Sequence, residues 1–296
     1  MSPFIVLLVL VSAALHPLWN LLVKQGDNPF RTYLYLTATM SLIGLTHGLI
    51  IGADIFAVRD VWLLILLSFC GQIIYGLGLT ATLKRGDLSA YYPIIRASPV
   101  VIVIASMVFL GQTYSLATLG GILMAVAGGF ILLYRRGTHF LSQPLVLGLA
   151  LTAMTGTGIY SLADTRIMQV VAPPVQLFWV EGLLSPSYLI IFLAIRRRSG
   201  EAPAQPIAAV SAVRRPPWRR ILQIILPGVI SYSSYYLILL AYQYGGEVAA
   251  VTSVRQASIP VSVLLGGLYL REGAIARRLI ASLILALGII IVAAAG

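Results

Sequence analysis

Charged residues are scarce in this chain. Of its 296 residues, 20 are Lys or Arg and 9 are Asp or Glu, so only 10% are charged. In a soluble domain about a quarter of the residues are charged, and the shortage argues against a soluble globular enzyme and a disordered protein. The basic residues form short clusters between apolar runs. That pattern is typical of membrane-protein loops, so we expect no nucleic-acid partner.

Residues and motifs that perform catalysis are also few. The one cysteine, Cys70, lies inside an apolar run, so no internal disulfide can form. The sequence contains no Walker A motif, no HExxH, no GxSxG and no Cys/His cluster. The lysines, Lys24 and Lys84, stand at loop edges, which excludes a retinal-type Schiff base inside a helix. We therefore predict no enzymatic activity, no cofactor and no metal.

Long continuous apolar runs dominate the chain instead, and 59% of the residues are hydrophobic. A membrane helix needs about 20 mostly apolar residues, whereas the strands of a membrane barrel would alternate polar and apolar residues. No basic residue precedes the first run, so we expect a retained helix and not a cleaved signal peptide. We predict an all-α integral membrane protein in a lipid bilayer, with ten transmembrane helices, numbered 1 to 10, at 3–23, 31–51, 61–82, 88–109, 115–134, 145–167, 175–195, 220–242, 248–269 and 277–295.

The distribution of Lys and Arg predicts the orientation. The segments after the odd-numbered helices carry 16 of these residues, and those after the even-numbered helices carry 2. Because the excess belongs in the cytoplasm, we expect both termini on the opposite side. The segment 196–219 is rich in Arg, Pro and Ala, and we predict a mobile basic loop there.

The two halves of the chain are related by an internal repeat. A shift of 160 residues aligns 85–128 with 245–288. The informative matches fall at turns and small residues, and they are Gly86-Asp87 with Gly246-Glu247 and Ala97-Ser98 with Ala257-Ser258. A five-helix unit repeated once must be inverted, because five is odd. We therefore predict two inverted five-helix repeats, 1–136 and 137–296, an arrangement that places a transporter site near the midplane.

Polar side chains occur at matching depths in helices 3 and 8. Gln72 and Tyr75 align with Tyr232 and Tyr235 under the same shift. At 1.5 Å per residue, Gln72 and Tyr232 lie roughly 17 Å into their helices, near the middle of the bilayer. A spacing of three places each pair on one helix face. We predict that these four side chains line a central cavity, with packing between helices as the alternative.

Arg96, Arg255 and Glu181 are charged residues that fall well inside predicted helices. Arg96 aligns with Gln256, one position away from Arg255. Three interpretations of Arg96 stay open. It snorkels towards the cytoplasmic surface, it makes lipid or packing contacts, or it belongs to the cavity or a gate, as we also expect for Arg255 and Gln256. Glu181 lies about seven residues into helix 7. We expect it to pair with Arg255 or to carry a proton as a coupling or gating residue, because an unpaired charge in lipid is costly.

Helix 1 contains a polar segment around a proline. Pro17 lacks a backbone N–H and favours a kink, so we expect His16-Pro17 to interrupt this helix. The freed carbonyl, His16, Trp19 and Asn20 are then candidates for the cavity wall, with a structural role for His16 as the alternative.

These features resemble the drug/metabolite transporter superfamily. The resemblance covers nearly the whole chain: ten helices as five plus five, a repeat strongest over the last two helices of each half, and Trp19-Asn20 in helix 1. The EamA-type units are most similar, and the polar and aromatic positions resemble bacterial amino-acid exporters, including the aromatic group. This resemblance implies a location in the bacterial inner membrane.

The resemblance also implies a function. We expect a secondary transporter that exports small amphipathic metabolites, most simply amino acids including aromatic ones, by alternating access. Ten helices suffice for a transport pathway within a monomer. The alternatives are a proton-coupled drug or metabolite antiporter and, less favoured, a membrane enzyme acting on a lipid-linked substrate. Small multidrug members of the superfamily use a membrane glutamate to exchange protons for cations. No acidic residue occupies the related face of helix 2, which weighs against this proton coupling.

Overall fold

The computed structural model of the protein describes residues 2–26, 28–98, 100, 115–134, 143–198, 217–246, 251 and 254–295. Over these ranges the chain is helical and contains no strand. A short 3₁₀ helix, Ala57–Val61, precedes the third of the ten α-helices in these described ranges. The α-helices are α1 Pro3–Gln25, α2 Pro29–Ile50, α3 Trp62–Arg85, α4 Leu88–Ile95, α5 Leu116–Leu133, α6 Pro144–Ile167, α7 Pro173–Arg198, α8 Pro217–Gln243, α9 Ser258–Tyr269 and α10 Ile275–Ala295.

Seven helical spans in the described ranges are long and apolar enough to cross a membrane, as in a multi-pass membrane protein. They lie in α1, α2, α3 with its 3₁₀ helix, α5, α6, α7 and α8. The predicted helices 88–109 and 248–269 are described only in part, because 101–114 and 247–250 lie outside the described residues. The same holds for 199–216, most of the predicted basic loop.

Proline marks the start of half of these helices. Pro3, Pro29, Pro144, Pro173 and Pro217 each occupy the first position of a helix, where the missing N–H costs no hydrogen bond. The prediction that His16-Pro17 interrupts the first helix is wrong, because α1 runs without a break from Pro3 to Gln25.

Helices of the two halves pack against each other in a regular pattern. In the main contacts α3 lies along α6, α1 along α8, α2 along α7 and α5 along α10. Exchanging the halves converts the α3–α6 pair into the α8–α1 pair, and it leaves the α2–α7 and α5–α10 pairs unchanged. The helix contacts therefore have the symmetry that two equivalent five-helix units would produce.

Glycines permit the closest of these contacts. A methyl group on Gly156 of α6 would lie 2.4 Å from the backbone nitrogen of Tyr75 in α3. A methyl group on Gly288 of α10 would lie 2.5 Å from the backbone nitrogen of Ala125 in α5. Lipid supplies no hydrophobic force between helices, so such close backbone packing stabilises the pairs.

Two helices are broken at equivalent positions. α4 ends at Ile95, and Arg96 and Ala97 form a turn before the helical residue 98. Helical residues 254 and 255 are followed by a turn at Gln256 and Ala257, and α9 then begins. The amide of Ala97 donates to the carbonyl of Ile94 at 3.0 Å, and that of Ala257 donates to Val254 at 3.1 Å. The repeat alignment thus pairs Arg96 with Gln256 at the two breaks.

Candidate functional site

A small cavity lies between helices of both halves. Its volume is about 30 Å³, enough for about two water molecules. The first half contributes side chains from α1, α2 and α3, and the second from α6, α7, α8 and the segment before α9. Seven residues named from the sequence line it: His16, Trp19, Gln72, Tyr75, Glu181, Tyr235 and Arg255.

The other residues named from the sequence lie outside this cavity. Tyr232 turns away, and its hydroxyl is 2.8 Å from Nδ1 of His47 while its ring stacks on Tyr236. Asn20 is fully buried and donates to the His16 carbonyl at 3.0 Å. Pro17 lies within α1, and Arg96 and Gln256 are buried at the two helix breaks. The equivalence of Tyr232 and Gln72 in the alignment thus does not extend to their surroundings.

Aromatic rings form much of the cavity wall. The rings of His16 and Trp19 meet edge to face with centroids 5.0 Å apart. Tyr160 makes the same kind of contact with Tyr75 at 5.7 Å and with Tyr235 at 6.0 Å. Tyr160 was not among the residues predicted from the sequence, although its depth inside predicted helix 6 is a signal for it. Such a wall offers flat apolar surfaces with hydroxyl groups at their edges.

The two charged side chains of the cavity do not pair with each other. Glu181 and Arg255 are 3% and 5% exposed, and no ion pair within 4.0 Å joins them. The expected Glu181–Arg255 pair is therefore not formed in this conformation. Glu181 makes no hydrogen bond to a described residue, and Tyr160 lines the same cavity as Glu181 and Arg255. The cavity thus presents one carboxyl group and one guanidinium group that form no ion pair with a described residue.

A buried carboxylate that the sequence analysis missed lies beside the cavity. Asp164, 1% exposed, accepts hydrogen bonds at Oδ1 from Ser68 at 2.6 Å and Gln176 at 2.5 Å, and at Oδ2 from Tyr235. Gln72 donates to the Tyr235 hydroxyl at 3.2 Å. Asp164 stands in the last turn of α6, close to Arg166, where an acidic residue ordinarily marks a solvated helix end. Only the contacts with α3, α7 and α8 show that it is internal.

A second polar cluster joins the two halves away from the cavity, and we call it the Glu272 cluster. Glu272, between α9 and α10, accepts from the backbone N–H groups of Leu88 and Ser89 at 2.8 Å each and thereby caps α4. Arg278 donates to Ser89 at 2.5 Å and pairs with Asp87 at 2.6 Å. The turn that carries Glu272 has positive φ angles at Arg271 and Ala274. The cluster therefore ties the α3–α4 junction of one half to the α9–α10 junction of the other.

Comparisons with known proteins support the fold alone. No protein-family model matches the sequence, and no curated protein sequence matches it. The chain is similar to a solved structure described as the crystal structure of a protein, with 17% identity and a TM-score of 0.62. The similarity covers 98% of this chain and 96% of the other. At this identity it shows that the two chains share a fold, over nearly their whole lengths.

Proposed function

We propose that the protein is a secondary transporter that exports small amphipathic metabolites, most simply amino acids including aromatic ones, by alternating access. One observation carries the proposal: a cavity between helices of both halves holds an aromatic wall, a carboxyl group and a guanidinium group, and neither charged group forms an ion pair with a described residue. Burying isolated charges is costly. A ligand that carries both an ammonium group and a carboxylate would supply the opposite charge to each of these two side chains.

The helix arrangement supports two inverted five-helix units, 1–136 and 137–296, as in the EamA-type drug/metabolite transporters. The contacts keep their pattern when the halves are exchanged. The helix breaks at Arg96-Ala97 and Gln256-Ala257 fall at positions related by the repeat. Discontinuous helices near the interface of inverted repeats are the usual material of transporter sites.

The chemistry of the cavity favours a zwitterion. Glu181 would receive an ammonium group, Arg255 would receive a carboxylate, and Tyr75 and Tyr160 would pack on an apolar side chain. With about 30 Å³ of space, this conformation is closed to such a ligand, so binding requires the halves to move apart. We place the protein in the bacterial inner membrane with both termini outside the cytoplasm, as the basic segments indicate.

Uptake of labelled L-phenylalanine into liposomes that contain the purified protein tests this proposal. We expect saturable uptake that unlabelled L-phenylalanine inhibits. Phenylpropionate and phenylethylamine, which each lack one of the two charged groups, should inhibit it less well than phenylalanine does. Glu181→Gln should remove the preference for phenylalanine over phenylpropionate, which lacks the ammonium group. Arg255→Gln should remove the preference for phenylalanine over phenylethylamine, which lacks the carboxylate. Each lost charged hydrogen bond corresponds to about a 10- to 100-fold loss of affinity.

The matched controls are Asp60→Asn and Arg59→Gln, which change exposed charges near the start of α3. Both should retain wild-type uptake and selectivity. Folded protein that takes up no amino acid would refute the substrate class. Unchanged selectivity in both cavity variants would refute the binding mode.

A further inference from the structure

The hydrogen bonds around Asp164 join three helices at one side chain. Ser68 of α3, Gln176 of α7 and Tyr235 of α8 all reach the Asp164 carboxylate. The Asp164 carboxyl group does not line the cavity, but the Tyr235 hydroxyl that binds it does. Tyr235 therefore connects a buried ionisable group to the space where a substrate would bind.

The single phenol proton of Tyr235 determines which group this residue presents to the cavity. A phenol has one proton to donate, and while Asp164 is ionised Tyr235 donates that proton to it. The Tyr235 oxygen accepts a hydrogen bond from Gln72. Its remaining lone pair is thus all that Tyr235 offers to the cavity. An acceptor of this kind, beside the negative charge of Asp164, favours the ammonium end of a ligand.

Protonation reverses this arrangement. A carboxylic acid must donate its own proton, and the Tyr235 oxygen is one of its contacts. When Asp164 donates to that oxygen, the phenol proton turns towards the cavity, and the negative charge disappears. Both changes disfavour an ammonium group, so proton and ligand compete.

We propose that Asp164 is the proton-binding site of the transporter and that Tyr235 relays its protonation state to the cavity, which makes transport an exchange of protons for a cationic or zwitterionic amine. This proposal rests on the proposed transport function. Among the described residues, the charged or titratable groups that act on Asp164 are Tyr235 and Tyr242 on α8, Glu181 on α7, and Arg255.

Infrared difference spectroscopy during a pH titration tests the proton site without any substrate. The wild-type protein in lipid should show the carbonyl stretch of a protonated carboxylic acid that Asp164→Asn lacks. Glu181→Gln should retain that band, and Asp54→Asn, in the loop before α3, should leave the spectrum unchanged. A band that persists in full in folded Asp164→Asn would overturn the proposal. If Asp164→Asn does not fold, Tyr235→Phe keeps the test open, because removing the donor must shift the midpoint of the band.

Exchange in liposomes tests the coupling. With L-phenylalanine as probe, a liposome interior more acidic by one pH unit should drive up to about tenfold accumulation in a one-for-one exchange. Asp164→Asn should show no accumulation at any gradient, and accumulation that persists would overturn the proposal. Failure of the wild-type protein to transport any amine, together with the expected infrared band, would refute the proposed function and leave the proton site standing.

Discussion

The contact between α3 and α6 gives the most direct test of the packing. The hydrogen of Gly156 points at the backbone of α3, and a methyl group there would lie 2.4 Å from the Tyr75 nitrogen and 2.6 Å from the Gly71 oxygen. Both neighbours are backbone atoms, so no side-chain rotation can relieve the clash. Ordinary contact begins at 3.4 Å, so the helices must separate by about 1 Å to admit the methyl group.

We expect Gly156→Ala to destabilise the protein by about 1–3 kcal/mol, the usual cost of overpacking a well-packed interior. The better helix propensity of alanine recovers at most about 1 kcal/mol. Tyr75 lines the cavity, so the shift of α3 should also slow transport of phenylalanine. Reversible unfolding in mixed micelles measures the first effect, and liposome uptake measures the second.

Gly148→Ala is the matched control on the same helix. A methyl group at Gly148 has no neighbour within 4 Å among the described residues, so only the gain in helix propensity remains. We expect this variant to be as stable as the wild type or up to about 1 kcal/mol more stable. If both variants unfold at the same denaturant concentration, α3 and α6 do not approach each other this closely at Gly156.

Two further substitutions test individual polar groups by the same unfolding assay. Glu272→Gln should lower the free energy of unfolding by about 2–4 kcal/mol, because it removes a charged cap from α4 and one of the two carboxylates that pair with the buried Arg278 among the described residues. A variant as stable as the exposed control Asp60→Asn would contradict this role. Tyr188→Phe should leave stability unchanged or raise it by about 1 kcal/mol, because the buried Tyr188 hydroxyl has no partner within the described ranges. A loss of about 1 kcal/mol or more would show that the Tyr188 hydroxyl is hydrogen-bonded.

The helices themselves could be predicted closely from sequence. The predicted spans 3–23, 115–134 and 145–167 correspond to Pro3–Gln25, Leu116–Leu133 and Pro144–Ile167. The agreement has a simple reason, since lipid requires each crossing segment to satisfy its own backbone hydrogen bonds over a fixed apolar length. Depth along a helix follows from the same counting, which explains why Gln72 and Tyr75 could be named in advance.

The partner of a side chain could not be predicted in this way. Tyr232 and Tyr235 are three residues apart on α8, yet Tyr232 contacts His47 and Tyr235 contacts Asp164. In the sequence, Asp164 looks like an ordinary residue at a helix end. Only the structure shows that side chains of α3, α7 and α8 bind it.

The sequence by itself therefore determined that the chain is helical, where most helices begin and end, and which residues are too polar for lipid. The tertiary structure decided which of those residues share a cavity, that Glu181 and Arg255 remain apart, and that Asp164 is internal. The physical reason is that helix formation in lipid is local, within one segment of chain. The direction in which a side chain points depends on the rotation and close approach of helices distant in sequence, which glycines such as Gly71 and Gly156 permit.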